Sequence, residues 1–200
     1  MGNVANASSE VELRGALAWM VGEEGRGVPT IIEMVAMTRF DCMIGSSSGM
    51  RQAAAQALHH CHHRSAFGAR LREQPLMQNV LADLALESEA AMTYTLRIAR
   101  ALDSNDEQEK LFLRLATPVG KYWICKRTPN HAYEAMECIG GSGVMEDCIM
   151  PRLFRESPVN AIWEGSGNVQ CLDTLRAVQK SPESLDAFMA EVNLAQGSDR

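Results

Sequence analysis

Apolar residues recur at helical spacing through most of this chain. From about Pro29 to His63, Ile31, Ile32, Met34, Val35, Met37, Phe40, Met43 and Ile44 fall close to a 3.6-residue period, and Pro29 suits a first helical turn. The stretch "GSSSGM" (45–50) interrupts the run with small residues. Set between two strong helical segments, it predicts a place where another helix approaches closely. A second helix is predicted from about Pro75 to Leu102, on Leu76, Val80, Leu81, Leu84, Ala91, Leu96 and Ile98. After the acidic "DSNDEQE", a third should cover roughly 108–138, kinked or split at Pro118 and Pro129 and stopped by Gly140 and Gly141. A fourth is predicted from about Asn168 to Val178, and residues 183–195 add a short, frayed one. Four main helices joined by short links predict an all-α fold, an antiparallel four-helix bundle.

The first 28 residues follow another pattern. Val11 and Leu13 alternate with Glu10, Glu12 and Arg14, the period of a strand, before Gly22, Gly25 and Gly27 mark a loop. One or two strands do not make a stable sheet alone. Residues 1–28 therefore read as the trailing segment of a β-domain, a short β remnant at the N-terminus. Residues 29–178 read as the helical domain and 179–200 as a short tail.

Composition narrows the function classes. With 46% hydrophobic and 22% charged residues, this is an ordinary globular composition, and no apolar run nears the ~20 residues that span a bilayer. A formal net charge of −6 argues against a general nucleic-acid-binding surface. The six cysteines form no Cys-x-x-Cys pair and read as reduced thiols, which places the expected compartment in the cytoplasm.

Four local patterns carry candidate chemistry. In "HHCHHR", His59 and His63 share a helix face with Cys61 between them, but zinc wants three or four converging ligands. A polar helix end is the preferred reading, and no metal site is expected. Gly140-Gly141-x-Gly143 follows a helix rather than a strand, so it is no dinucleotide fingerprint; it is a helix stop or a backbone approached by a ligand. Arg64 could bind a phosphate or complement the helix dipole. Glu164 lies in "IWEGSGN", next to an indole and before two glycines. Such a carboxylate can act as a base on a weakly acidic C–H, or be a surface acid at the start of the next helix. The residues alone leave both open.

In order along the chain, Thr38-Arg39, "RSAFG", "NVLADL", "AMECIGGSGVMED", "PRLFRE" and "IWEGSGN" resemble the C-terminal helical domain of the acyl-CoA dehydrogenase family. "NASSEVE", "TRFDC", "VNAIWEGSGN" and "CLDTLR" resemble its DNA-alkylation-response, AidB-like branch. The resemblance implies a flavoenzyme that desaturates an acyl-CoA thioester, a glutamate taking the α-proton while hydride passes to FAD. The base sits in a Tyr-Glu-Gly-Thr motif, matched here by Trp163-Glu164-Gly165-Ser166, so Glu164 is the implied catalytic residue. A minority of members carry the base on the first helix, at the position of Thr38, which cannot serve. For FAD the resemblance implies Arg64, Phe67, Gly140, Gly141 and Ser166, the first two reaching cofactor bound largely by a neighbouring subunit. Trp163 and Arg176 would shape the acyl pocket.

The same resemblance implies a homo-oligomer, dimer or tetramer, with DNA contact only through a basic extension outside this chain. Three positions depart from the family pattern. Pro75 stands for the usual Gln, with Gln74 one place early; Glu137 stands for the Gln before the double glycine; and Trp163 stands for Tyr, which should narrow the acyl pocket. The chain reads as a fragment, inactive by itself. The rival reading is a DNA-alkylation-response protective protein that keeps FAD and associates with DNA but turns over little substrate.

Overall fold

A computed structural model describes residues 5–198. Six helices follow in order: α1 (Gly27–His63), α2 (Pro75–Leu102), α3 (Glu107–Ile139), α4 (Met150–Glu156), α5 (Gly167–Lys180) and α6 (Glu183–Asn193). The strict four-helix bundle expected from periodicity is thus corrected to six helices. α4, in "MPRLFRE", is too short for its pattern to stand out, and α6 is no frayed appendage. Its Phe188 stacks on Phe112 of α3 with ring centroids 6.1 Å apart, and its Glu191 takes a hydrogen bond of 2.7 Å from Arg97 of α2.

The three long helices carry the core. Cys125 of α3 lies beside Cys42 of α1, and Cys138 beside Cys61, so α1 and α3 run parallel. Tyr94 of α2 donates to the Ala116 carbonyl of α3, while His131 of α3 meets the Leu84 carbonyl of α2, so α2 runs against both. Apolar burial forms two clusters along this triplet. One gathers Ala53, Ala57, Cys61, Leu84, Ala135 and Met150; the other gathers Met43, Met50, Ala91, Ile98, Phe112 and Ile124. Alanines on α1 and α3 let those two helices approach closely. α5 and α6 pack on the outer side of α3.

Three sequence expectations are decided by tertiary structure. α3 passes through Pro118 and Pro129 as one element. Core residues flank both prolines (Ala116, Ile124, Cys125 and Ala132), and their packing outweighs a local penalty of about 3 kcal/mol. The stretch 45–50 stays inside α1, and the helix that comes close to it is α3: Ser46 meets Cys125, and Met50 packs with Ile124. Ser46 and Ser47 are buried, and Asn160 donates to Ser46 Oγ at 3.3 Å across a cavity of about 330 Å³ that Gly45, Gly49, Thr128 and Trp163 also line.

The expected β remnant is the third. Among the described residues, 5–26 contain no strand; Val11, Leu13, Leu17 and Trp19 all lie exposed, because an extended segment with no partner has no ladder to join. The two short strands lie elsewhere, β1 (Ser65–Ala66) antiparallel to β2 (Ala69–Arg70), in the link between α1 and α2. Between them, Phe67 and Gly68 both have positive φ (55° and 84°), as a two-residue hairpin turn of the favoured twist requires. No described helix is long and apolar enough to cross a membrane.

Candidate functional site

Between α4 and α5 the chain makes a short 3-10 turn at Val159–Ala161 and then the loop that carries Glu164. Glu164 itself has φ 58°, a left-handed conformation that costs a non-glycine residue free energy, and Gly165 follows at φ 98°. Two successive positive φ values turn the carbonyls of this loop toward the bundle. Each then needs a donor, since a buried carbonyl left without one costs about 1–3 kcal/mol.

Donors arrive from three helices. Lys121 of α3, only 1% exposed, donates to the carbonyl oxygens of Trp163 at 2.7 Å and Gly165 at 2.6 Å. Arg39 of α1 donates through Nε to the Glu164 carbonyl at 3.1 Å. Gln170 of α5, also 1% exposed, donates through Nε2 to the same carbonyl at 3.2 Å and to that of Gly165 at 2.9 Å. All three carbonyls of Trp163-Glu164-Gly165 are therefore held. The half-buried Glu164 carboxylate, by contrast, has no hydrogen bond or ion pair among the described residues. Backbone fixed and carboxylate free is the arrangement a positioned base needs.

Charge around the loop is organised too. Asp173 of α5 accepts from Arg39 at 2.7 Å and from Arg114 at 2.8 Å. Burial works to raise its carboxyl, but the Arg114 and Arg39 guanidiniums prevail and hold it below the usual carboxylate range. Burial pushes the Lys121 ammonium below the usual lysine range, opposed by the nearby Cys125, Cys42 and Glu164. Burial likewise raises the Cys42 thiol, and that of Cys125 to about 11. Trp163 is fixed by a 3.2 Å bond from its Nε1 to Asn160 Oδ1.

The remaining sequence candidates fall into two places. Ser166 follows Glu164 by two positions and is the residue before α5; it is exposed, and its hydroxyl makes no capping bond. Arg176 is exposed on α5, without an ion pair among the described residues. Arg64, Phe67, Gly140 and Gly141 gather at the far end of the bundle, where α1 and α3 both terminate. Arg64 is exposed and Phe67 is 96% exposed at the hairpin tip. A Cβ on Gly140 or Gly141 would meet nothing within 4 Å, whereas one on Gly143 would lie 2.7 Å from the Met136 carbonyl. Gly143 is thus required by packing, and the double glycine leaves open backbone. Arg39 and Arg64 lie 25 residues apart along α1, about 37 Å at 1.5 Å per residue. One copy of the chain does not bring this end to its own Glu164.

This topology and this loop now meet the comparisons with known proteins. Residues 25–179 match the C-terminal domain of acyl-CoA dehydrogenases. The chain belongs to the acyl-CoA dehydrogenase family. It is 46% identical, over its whole length, to an Escherichia coli protein described as the putative acyl-CoA dehydrogenase AidB, of which it covers 37%. It is 33% identical over 96% of its length to acyl-CoA dehydrogenase family member 11 of Caenorhabditis elegans, covering 32% of that protein. The crystal structure of C. elegans ACDH-11 in complex with C11-CoA superposes on 90% of the chain, at a TM-score of 0.83 and 32% identity, with 32% of that structure covered. The chain spans about a third of the length of these relatives.

Lys121, Gln170, Asp173 and Arg114 were missed as site residues by sequence reasoning. Lys121 did leave a signal: Thr117, Lys121, Ile124, Cys125 and Thr128 share the buried face of α3, and a lysine there calls for a partner. Arg39 stood out only as the neighbour of Thr38.

Proposed function

We propose that this chain is the C-terminal helical part of a flavin-dependent acyl-CoA dehydrogenase-like oxidoreductase, with Glu164 as the base that removes the α-proton of an acyl-CoA thioester. The observation that carries this reading is the Glu164 loop, whose backbone is clamped at all three carbonyls while its carboxylate stays free. Removing a weakly acidic C–H proton demands a base held in place and partly shielded from water. Trp163, anchored on Asn160, supplies one wall, and Gly165 lets the backbone turn beneath the carboxylate. Arg176, on α5, is assigned to support of the acyl chain.

FAD fits the residues present. The open backbone of Gly140 and Gly141 admits close approach of a ligand, and exposed Arg64 provides a cation for a pyrophosphate. Phe67 stands in a strained conformation with its ring almost fully in solvent, as a ring meant to meet another molecule would. Ser166 offers an exposed hydroxyl two residues after Glu164. When bound, the flavin supplies a hydride acceptor. Because Arg64 lies at the opposite end of α1 from Arg39, which holds the Glu164 carbonyl, Arg64 and Glu164 serve different cofactors, and a working site draws on two copies. Exposed Ile31, Ile32, Met34 and Met37, on the free half of α1, supply an apolar face for such an assembly or for another domain. Met43, on the same helix, is core.

The test is anaerobic flavin reduction in the longer protein containing this chain, with short and branched acyl-CoAs, for wild type against Glu164→Gln. The variant should bind FAD and reduce it about 10²–10⁴-fold more slowly. Equal rates would remove Glu164 from the mechanism. Absence of reduction by any thioester, together with salt-dependent DNA binding, would favour the protective-protein reading instead.

A further inference from the structure

We propose that Lys121 is the positioning residue of the Glu164 loop, the group that locks Glu164 in its left-handed conformation by holding the carbonyls on either side of it. This rests on the reading of Glu164 as the base, but the clamp itself is a property of this chain.

A lysine at 1% exposure is expensive to bury, so its retention calls for a reason. The structure gives it two carbonyl acceptors, 2.7 and 2.6 Å away, one on each side of Glu164. No neutral side chain of that length carries a donor that reaches both. Arg39 and Gln170 hold the Glu164 carbonyl between them, but only Lys121 joins the residue before the glutamate to the residue after it. It reaches the loop from the middle of α3, the helix that packs against α1, α2, α5 and α6. The loop therefore takes its position from the most constrained element of the fold. The groups facing the ammonium are Arg39 and Cys42 from α1, Cys125 from its own helix and Glu164 from the loop. With both thiols protonated, Glu164 is the one anion in that set.

The experiment replaces the ammonium and then restores it. In the 200-residue chain, Lys121→Ala should leave exchange of core amides in α1, α2 and α3 unchanged. It should accelerate exchange at the Trp163 and Gln170 amides, which bond to the Val159 and Ser166 carbonyls on either side of the loop. Loss of two charge-assisted hydrogen bonds corresponds to roughly a hundredfold acceleration. Propylammonium, which matches the deleted atoms, should restore protection. 1-Propanol, of similar volume and without charge, should not. Restoration by propanol equal to that by propylammonium would show Lys121 to be a space-filler and overturn the proposal, as would unchanged exchange in Lys121→Ala.

Should that variant fail to fold, Lys121→Met keeps the volume and loses the charge, and retained loop protection there overturns the proposal equally. In the longer flavoprotein, Lys121→Met should lower kcat for flavin reduction at least tenfold with little change in KM, because the substrate contacts remain. A rise in KM alone would refute positioning. A loosened loop in a protein in which Glu164→Gln has no effect on rate would leave the clamp standing and remove the proposed base.

Discussion

Replacing Gly165 by Ala isolates the backbone demand of the Glu164 loop. Gly165 has φ 98°, where an L-residue is strained by about 1–2 kcal/mol. The added methyl would also lie 2.7 Å from Gln170 Nε2 and 2.9 Å from Val169 Cγ1. Gln170 cannot swing aside cheaply: it is buried, it holds two loop carbonyls, and its own Oε1 already lacks a partner among the described residues. Overpacking of this kind costs about 1–3 kcal/mol. Against these stands the smaller entropy of the unfolded alanine chain, about 0.4–1 kcal/mol in favour of the variant. The net expectation is a destabilisation of roughly 2–4 kcal/mol, which for a domain of this size lowers Tm by roughly 5–15 °C. Urea denaturation followed by circular dichroism and by tryptophan emission measures it, the second probe reporting Trp163 among the three tryptophans. Gly141→Ala is the control, because its Cβ would meet nothing and its φ is not positive. It should fall within about 0.5 kcal/mol of wild type. A Gly165→Ala variant as stable as that control would refute the loop geometry from which the site is argued.

The hairpin tip offers the opposite sign: Phe67→Asn removes a bulky residue from a left-handed turn position where its exposed ring gains nothing. It should raise stability by about 1 kcal/mol, and a melt showing no gain would mean the turn is unstrained. Alkaline pH should destabilise the fold. Burial pushes the Cys125 thiol up to about 11 and that of Cys138 to about 12, and it raises Cys42 and Cys61, all from an ordinary 9.0. Between about pH 9 and 11 the unfolded chain therefore releases protons that the folded Cys125 and Cys138 keep, and stability falls by about 1.4 kcal/mol per pH unit for each of these two thiols. Cys42 and Cys61 add in the same direction. The depressed Lys121 ammonium works the other way, one group against these four thiols and the Tyr94 hydroxyl, which burial also raises. Urea midpoints under reducing conditions at pH 8.5 and 10.5 should show the fall, shallower in Cys125→Ala; a flat profile would contradict it. On the acid side, burial holds His131 below its ordinary 6.5, with Nδ1 lacking a partner among the described residues and Nε2 on the Leu84 carbonyl. Its protonation favours the unfolded chain, so stability should drop as pH falls below about 6.5, and His131→Leu should flatten that part of the curve.

Periodicity by itself determined where the long helices lie. The expected spans 29–63, 75–102 and 108–138 differ from those of α1, α2 and α3 by two residues at most, because Pro29, Pro75, Asp106 and Gly140 mark ends through local backbone chemistry. Ordered motifs also identified the family and singled out Glu164. What the pattern left undecided depended on partners distant in sequence. A strand-like alternation at Val11 and Leu13 forms no strand without a neighbouring strand. Pro118 and Pro129 break nothing, since the packing on either side of each holds α3 together. Whether Glu164 is a surface acid or a fixed one rests on bonds spanning 125 residues to Arg39 and 42 to Lys121. Local preference is written within a turn or two of the chain. A carbonyl that needs a donor, or a buried ammonium that needs an acceptor, finds it only when the helices are brought together.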